Sequence, residues 1–190
     1  MNKAVFLDRD GTLNVEVDYL DKVEDLILIQ NAEVALLNLK NSGFLNIIIT
    51  NQSGIARGYF DLITLEKIHN ELLKKLTVGS VTLIDDIYFS PYHSSGIIEE
   101  FKIEHEDRKP NTGMIVKAIK KHNINISESW LIGDSFTDMK CASNAGLKKI
   151  LVLTGYGKKH LKMCEENNIL PDFIAESILE ASDYIINFKN

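Results

Sequence analysis

The chain has 190 residues, of which 45% are hydrophobic and 25% are charged, a composition typical of one globular domain. Its formal net charge is −6 and it has no basic run, which argues against a nucleic-acid partner, because such proteins neutralise phosphates with Lys and Arg. The two cysteines show no pairing pattern, and the sequence has no cationic apolar leader and no apolar stretch of bilayer-spanning length. We therefore expect a cytoplasmic protein without a membrane partner, and a monomer.

Hydrophobic patterning predicts strands and helices that alternate along the chain. Apolar, β-branched runs predict strands at residues 4–7, 44–49, 86–89, 129–132 and 149–153, with a short one at 172–174. Apolar residues at helical spacing predict helices at residues 32–39, 64–76, 112–122, 136–145, 158–167 and 176–187. Thr64 is expected to cap the second helix, and residues 14–30 and 90–111 are expected to be irregular.

This alternation predicts an α/β fold, a doubly wound open parallel sheet with helices on both faces. Ligands of such sheets bind outside the carboxyl ends of the strands. The sequence between the first two strands has room for only one loop and one helix, so we expect residues 1–190 to form a single domain without a large cap domain. Loops 14–25 and 90–111 are then expected to close the active site.

Polar residues cluster where the predicted strands end. Asp8 and Asp10 follow the first strand, Thr50 follows the second, Lys109 lies in the loop after the third, and Asp134 follows the fourth. Three carboxylates at one sheet edge would form the oxygen-rich site that Mg²⁺ prefers. A lysine and a hydroxyl beside them would stabilise a phosphoryl group, and an aspartate can be the nucleophile. The pattern therefore indicates phosphoryl-transfer chemistry at this edge.

Four motifs resemble those of the haloacid dehalogenase (HAD) superfamily of phosphatases. In chain order they are Asp-Arg-Asp-Gly-Thr at 8–12, Thr50, Lys109, and Gly-Asp-Ser-Phe-Thr-Asp at 133–138. The resemblance runs through nearly the whole chain and implies the Rossmann-like HAD fold. An aspartate at the second acidic position implies hydrolysis, because that residue must activate water.

The resemblance also implies a role for each motif residue. Asp8 would be the nucleophile, and Asp10 would be the general acid and base. Thr50 and Lys109 would stabilise the transferring phosphoryl group, with Asp138 orienting Lys109. The ligands of Mg²⁺ would be Asp8, the backbone carbonyl of Asp10, and Asp134.

Two longer stretches narrow the resemblance. Thr-Asn-Gln-Ser-Gly-Ile-Ala-Arg-Gly at 50–58 and Arg-Lys-Pro at 108–110 look like the D-glycero-D-manno-heptose 1,7-bisphosphate 7-phosphatases, which are related to the histidinol-phosphate phosphatases. That group implies removal of the 7-phosphate of a small phosphorylated sugar through an aspartyl-phosphate, in synthesis of heptose precursors for lipopolysaccharide or a surface glycan. The implied substrate contacts are Glu16, Asp18, Tyr19, Asn51, Gln52, Ser53 and Arg108. Glu16 and Asp18 depart from the Asp-x-Gly-Tyr pattern of the group.

A further departure concerns the structural zinc that this group commonly carries in the loop after the third strand. The group has Cys-x-His and then Cys-x-Cys there, whereas this chain has no cysteine in the loop. Structural Zn²⁺ prefers thiolates and imidazoles, so we expect a loop held without zinc. Binding of a metal by His93, His105 and Asp107 is the alternative.

Three other functions stay open at this level. Histidinol phosphate is the first competing substrate, because Glu16 or Asp18 could pair with its amine. A non-catalytic phosphosugar-binding protein is the second, and a nucleic-acid 3′-phosphatase, which the acidic net charge disfavours, is the third. Residues outside the motifs are expected to be structural: His69, His122 and His160 at the surface, and Cys141 packed in a helix.

Overall fold

The computed structural model of the protein describes residues 1–188, which form an α/β fold around one six-stranded sheet. All neighbouring strands of the sheet pair in parallel. In spatial order the strands are β5 (Asp86–Ser90), β2 (Phe44–Asn51), β1 (Lys3–Leu7), β6 (Trp130–Gly133), β7 (Lys148–Val152) and β8 (Phe173–Ala175). The predicted parallel sheet is confirmed, with β1 in its interior because β2 and β6 pair on either side of it.

Helices cover both faces of this sheet. They are α1 (Ala32–Asn41), α2 (Leu62–Lys75), α3 (Gly113–His122), α4 (Phe136–Ala145), α5 (Gly157–Glu166) and α6 (Ile178–Asn187). The prediction of Thr64 as the cap of α2 is wrong. Asp61 is the N-cap, and its carboxylate accepts a 2.8 Å hydrogen bond from the Thr64 backbone N–H, so the helix begins two residues earlier than predicted.

The sheet separates two apolar cores. Val5 and Leu7 of β1 pack into one core with residues of α1, α2 and α6, whereas Ala4 and Phe6 pack into the other with residues of α3, α4 and α5. This alternation follows from the strand geometry, in which successive side chains point to opposite faces. Both faces of the strand are therefore buried, which explains its continuous apolar sequence.

The connections contain short elements that the sequence did not predict. An antiparallel pair, β3 (Thr77–Val78) and β4 (Val81–Thr82), lies between α2 and β5. Its strands have two residues each, too few to show an alternating pattern. Short 3₁₀ helices occupy Val23–Asp25, Glu99–Phe101 and Ile126–Glu128. Between β1 and β2 the described chain contains one 3₁₀ helix and α1. No helix within residues 1–188 is long and apolar enough to cross a membrane.

Candidate active site

A buried lysine lies between two aspartates at the carboxyl edge of the sheet. The Lys109 ammonium is 2.9 Å from Oδ1 of Asp8, which follows β1, and 2.6 Å from Oδ1 of Asp138, which lies in the first turn of α4. It also donates a 2.9 Å hydrogen bond to the Ile49 carbonyl of β2. Only 3% of Lys109 is exposed, so these contacts replace water around its charge. The structure thus brings predicted residues from three segments into one polar cluster.

The carboxylates of this cluster raise the pKa values of the ionisable groups around them. Burial and the charge of Asp138 raise the pKa of Asp8 well above its usual range. The same two causes raise the pKa of Asp134 to about 7. Burial alone would lower the pKa of Lys109, but Asp138 and Asp8 outweigh it and raise that pKa. Three carboxylates share one ammonium here, so the cluster lacks a second positive charge.

The donor atoms of this cluster fit a divalent cation. One oxygen from each of Asp8, Asp134 and Asp138 lies within 4.8 Å of the other two, the one such group among residues 1–188. Hard oxygen ligands and uncompensated negative charge suit Mg²⁺. The carboxylate of Asp10 lies outside this group, so a contact of Asp10 with the metal would have to come from its backbone carbonyl.

The Asp134 carboxylate is held by a loop that sequence reasoning did not assign to the site. Its Oδ2 accepts a 2.7 Å hydrogen bond from the Tyr156 backbone N–H. Gly11 and Gly155 enclose the same oxygen, and a Cβ on either glycine would come within 2.1 Å of it. Thr154 fixes this arrangement by donating from Oγ1 to the Gly11 carbonyl at 2.6 Å. The sequence could have assigned this loop to the site by its position, because residues 154–157 follow a predicted strand at the same sheet edge.

The Asp10 carboxylate accepts hydrogen bonds from three buried side chains, those of Arg9, Asn14 and Gln52. Arg9 binds it through Nε at 3.1 Å and through Nη2 at 2.8 Å, and Asn14 donates to it at 3.0 Å. Gln52 donates from Nε2 both to Asp10, at 2.9 Å, and to Thr50 Oγ1, at 2.8 Å. Burial alone would raise the pKa of Asp10, but Arg9 and these hydrogen bonds outweigh it and lower that pKa. Arg9 and Asn14 are site residues that sequence reasoning missed.

Comparison with known proteins agrees with this geometry. The sequence model of the HAD-hydrolase-like family matches residues 107–181. D-glycero-D-manno-heptose-1,7-bisphosphate 7-phosphatase of Thermosynechococcus vestitus is 38% identical over 96% of this chain and 94% of that protein. The corresponding β-heptose enzyme of Haemophilus influenzae is 37% identical over 95% of each chain. The chain belongs to the heptose-bisphosphate 7-phosphatase family of HAD-like hydrolases. It is therefore a phosphatase.

A solved structure shows the same architecture. The crystal structure of D,D-heptose 1,7-bisphosphate phosphatase from B. bronchiseptica, complexed with magnesium and phosphate, superposes with a TM-score of 0.85. It is 27% identical and covers 97% of this chain and 98% of that one. The predicted HAD fold is confirmed by this agreement.

Asn51 and Gln52, two of the residues predicted to contact the substrate, form hydrogen bonds with other residues of the protein. The Asn51 amide both donates to the Lys109 carbonyl and accepts from the Lys109 backbone N–H, at 3.0 Å each. Gln52 is 4% exposed and links Asp10 to Thr50. These two side chains therefore hold catalytic candidates in place, and their contact with the substrate stays a prediction. Ser53 is half-buried next to them.

The remaining predicted contacts lie in the loops around the site. Asp18 has a left-handed backbone with φ +59° and accepts a 2.7 Å hydrogen bond from the Tyr156 hydroxyl. Burial, followed by the charge of Asp10, raises the pKa of Glu16 to about 7. Tyr19 packs edge-on against the Tyr59 ring, with centroids 4.5 Å apart. The Arg108 guanidinium donates to the Tyr92 carbonyl at 3.1 Å and is half-buried.

The three candidate metal ligands of loop 90–111 bind other groups. His93 contacts Arg57 Nη2 through Nε2 at 3.1 Å and accepts from the Ser95 N–H through Nδ1 at 3.0 Å. His105 accepts from the Asp107 N–H at 3.1 Å, and Asp107 forms an ion pair with Lys117. Within residues 1–188 these three side chains do not form a group of converging ligand atoms.

The expectation that three histidines lie at the surface is wrong for His69. His69 is buried, and its position follows from its place in the apolar stripe of α2, four residues after Leu65. His122 is half-buried beside Asp86, 2.8 Å away, and His160 is half-buried at α5. Cys141 is fully buried, which confirms its predicted packing, and burial raises its pKa to about 12.

Proposed function

We propose that the protein is a Mg²⁺-dependent phosphatase that removes the 7-phosphate of D-glycero-D-manno-heptose 1,7-bisphosphate. The observation that carries this proposal is the placement of Lys109 between Asp8 and Asp138, with Asp134 beside them, in a chain whose relatives bear that name. Such a cluster provides a nucleophile, a fixed cation and a metal site at one point. The expected place of the reaction is synthesis of heptose precursors for lipopolysaccharide or a surface glycan, by a cytoplasmic monomer.

The proposed reaction has two steps. Asp8 attacks the phosphorus, a bond forms between its carboxylate oxygen and phosphorus, and the bond to the sugar oxygen breaks as Asp10 protonates that oxygen. Asp10 then takes a proton from water, which attacks the aspartyl-phosphate and releases inorganic phosphate. Lys109 and Thr50 stabilise the negative charge of the phosphoryl oxygens in both steps.

The metal would be held by Asp8, the backbone carbonyl of Asp10, and Asp134. When bound it supplies the positive charge that the cluster lacks, which screens the repulsion between the carboxylates and the substrate phosphate. Lys109 supplies the other positive charge and acts against the rise in the pKa of Asp8 that burial and Asp138 cause.

The loops favour a sugar over histidinol phosphate as the substrate. The amine of histidinol phosphate would need an ionised, available carboxylate. One oxygen of Asp18 already accepts from Tyr156, and burial raises the pKa of Glu16 to about 7, which disfavours its ionised form. A non-catalytic role is disfavoured because the site contains each charged group that the chemistry requires.

A substrate panel tests this function. Heptose 1,7-bisphosphate, fructose 1,6-bisphosphate and histidinol phosphate are compared by phosphate release, and ³¹P NMR of the heptose product identifies which phosphate is lost. We expect the highest kcat/KM for the heptose and loss of its 7-phosphate. A preference for histidinol phosphate would contradict the proposal. Asp8→Asn is expected to abolish turnover of all three compounds, and a variant that keeps most activity would refute the nucleophile.

A further inference from the structure

Arg9 is the buried partner of the proposed general acid. Its side chain is completely shielded from solvent, and it binds both oxygens of the Asp10 carboxylate through Nη2, at 2.9 and 2.8 Å. The same nitrogen is 3.2 Å from the Gln52 side-chain oxygen. A buried guanidinium needs an acceptor for each of its N–H groups. The group on the other side, Nη1, is 3.2 Å from Nε2 of His69.

His69 is buried in the position that this contact requires. It projects from α2, which is separated from β1 by more than fifty residues of sequence, and it is 9% exposed. Its ring packs edge-on against Phe89 of β5, with centroids 5.8 Å apart and an angle of 61° between planes. Burial, followed by the charge of Arg9, lowers the pKa of His69 to about 3. The ring is therefore neutral at physiological pH, and Nε2 can accept a hydrogen bond from Arg9.

We propose that His69 is a positioning residue for Asp10: its Nε2 accepts from Arg9 Nη1 and fixes the guanidinium that orients the Asp10 carboxylate. This inference rests on the proposed role of Asp10 as general acid and base. Within residues 1–188 no hydrogen bond joins His69 to Asp10 or to the cluster around Lys109, and it acts only through Arg9. Removal of its acceptor would release one end of the guanidinium and allow the carboxylate to turn.

The test uses two substrates that differ in their need for an acid. The sugar oxygen of heptose 1,7-bisphosphate must be protonated as it leaves, whereas p-nitrophenolate is a weak base that leaves p-nitrophenyl phosphate without a proton. The constant kcat/KM reports only the steps up to cleavage of the bond to the leaving group. Misplacement of Asp10 should therefore lower kcat/KM mainly for heptose 1,7-bisphosphate. Packing damage would lower it equally for both.

Three variants are compared with the wild type by kcat/KM and thermal unfolding. For His69→Leu we expect kcat/KM to fall about tenfold with the heptose and much less with p-nitrophenyl phosphate. The loss is smaller than the roughly 10²–10⁴-fold contribution of a general acid, because Asp10 is misplaced and not removed. His69→Gln restores an acceptor oxygen and is expected to stay within about twofold of wild type. His122→Leu, the same change at the last residue of α3, is the matched control and should leave kcat/KM unchanged for both substrates.

Equal losses on both substrates, or a Gln variant as impaired as the Leu variant, would overturn the inference. The variant Asp10→Asn distinguishes failure of the inference about His69 from failure of the proposed function. If Asp10→Asn loses activity with the heptose while His69→Leu does not, only the role of His69 is refuted. If Asp10→Asn turns over the heptose at the wild-type rate, Asp10 is not the general acid, and the proposed mechanism itself is refuted.

Discussion

The Tyr156 hydroxyl donates a 2.7 Å hydrogen bond to the Asp18 carboxylate, while the backbone N–H of the same tyrosine donates to Asp134. One residue thus joins a loop expected to contact substrate to a candidate metal ligand. Asp18 has φ +59°, the left-handed conformation that favours glycine, at the position where the family pattern has glycine. The departure from the pattern therefore keeps the backbone shape and adds a side-chain contact.

Loss of this contact should weaken substrate binding more than catalysis. For Tyr156→Phe we expect KM for heptose 1,7-bisphosphate to rise about fivefold with kcat within about twofold, the effect of one partly exposed hydrogen bond to a charged group. Asp18→Gly should behave in the same way, because it removes the carboxylate that accepts this hydrogen bond, while glycine readily adopts the left-handed backbone conformation. Steady-state kinetics give both constants, and an unchanged KM in both variants would show that the contact has no part in binding.

Replacement of Lys109 tests the central charge of the site. Lys109→Met keeps much of the side-chain volume but removes the ammonium that faces Asp8 and Asp138. We expect kcat to fall by about 10²–10³-fold, the range found when a stabilising donor of a transition-state charge is removed. Single-turnover phosphate release measures the step, and circular dichroism checks that the fold is intact. A variant with more than half of the wild-type kcat would contradict the assignment.

The absence of a side chain at Gly155 leaves the space that the Asp134 carboxylate occupies, so we predict that Mg²⁺ binding depends on this glycine. In Gly155→Ala the new Cβ would lie 2.1 Å from Oδ2 of Asp134, so the carboxylate must move. We expect the Mg²⁺ concentration for half-maximal activity to rise about tenfold or more, as is typical when the support of a metal ligand is lost. Gly79→Ala is the matched control, because Gly79 also has positive φ, +62°, but nothing lies within 4 Å of its Cβ position. The two variants share a backbone cost of about 1–2 kcal/mol, and only the first should change the Mg²⁺ dependence.

Metal removal and metal content test the two cation predictions separately. Treatment with a chelator should abolish phosphatase activity, and added Mg²⁺ should restore it, because the carboxylate cluster lacks a second positive charge. Activity that is indifferent to the chelator would contradict the metal role. Elemental analysis of the purified protein should find no stoichiometric zinc, since His93 and His105 bind protein groups. Near-stoichiometric zinc would overturn that expectation.

Acid stability should reveal the ion pairs of Asp86. Its carboxylate lies 2.8 Å from both Lys121 and His122. Partial burial acts to raise its pKa, but the hydrogen bonds from these two residues outweigh it and lower the pKa to about 2. A carboxyl group with a lowered folded-state pKa stabilises the protein above its unfolded pKa of about 4, and this contribution disappears as the pH falls toward 2.

Asp86→Asn is the variant that tests this. We expect it to lower the free energy of unfolding by about 1 kcal/mol at pH 7, since the pairs are partly exposed and screened by solvent. The difference from wild type should vanish between pH 4 and pH 2. Urea unfolding at several pH values measures it, and a difference that is independent of pH would exclude the ion pairs as its cause.

The sequence by itself determined the six strands of the main sheet, the places of the six α-helices and the motif residues, but not β3, β4 or the 3₁₀ helices. Apolar periodicity is a local property, so β1 and β6 could be predicted to within a residue at each end and α4 exactly as observed. The rule that ligands bind at the carboxyl ends of parallel strands then predicted that Asp8, Lys109 and Asp134 meet, and they do.

Only the tertiary structure decided which groups hold those residues in place. Arg9 meets His69 across sixty positions of sequence, and Thr154 reaches Gly11 across 143. Such contacts depend on how α2 and the loop after β7 pack against the sheet, which no local pattern specifies. A histidine in an amphipathic helix has the same sequence signature whether it faces water or a buried guanidinium. Packing removed the water and gave His69 its partner.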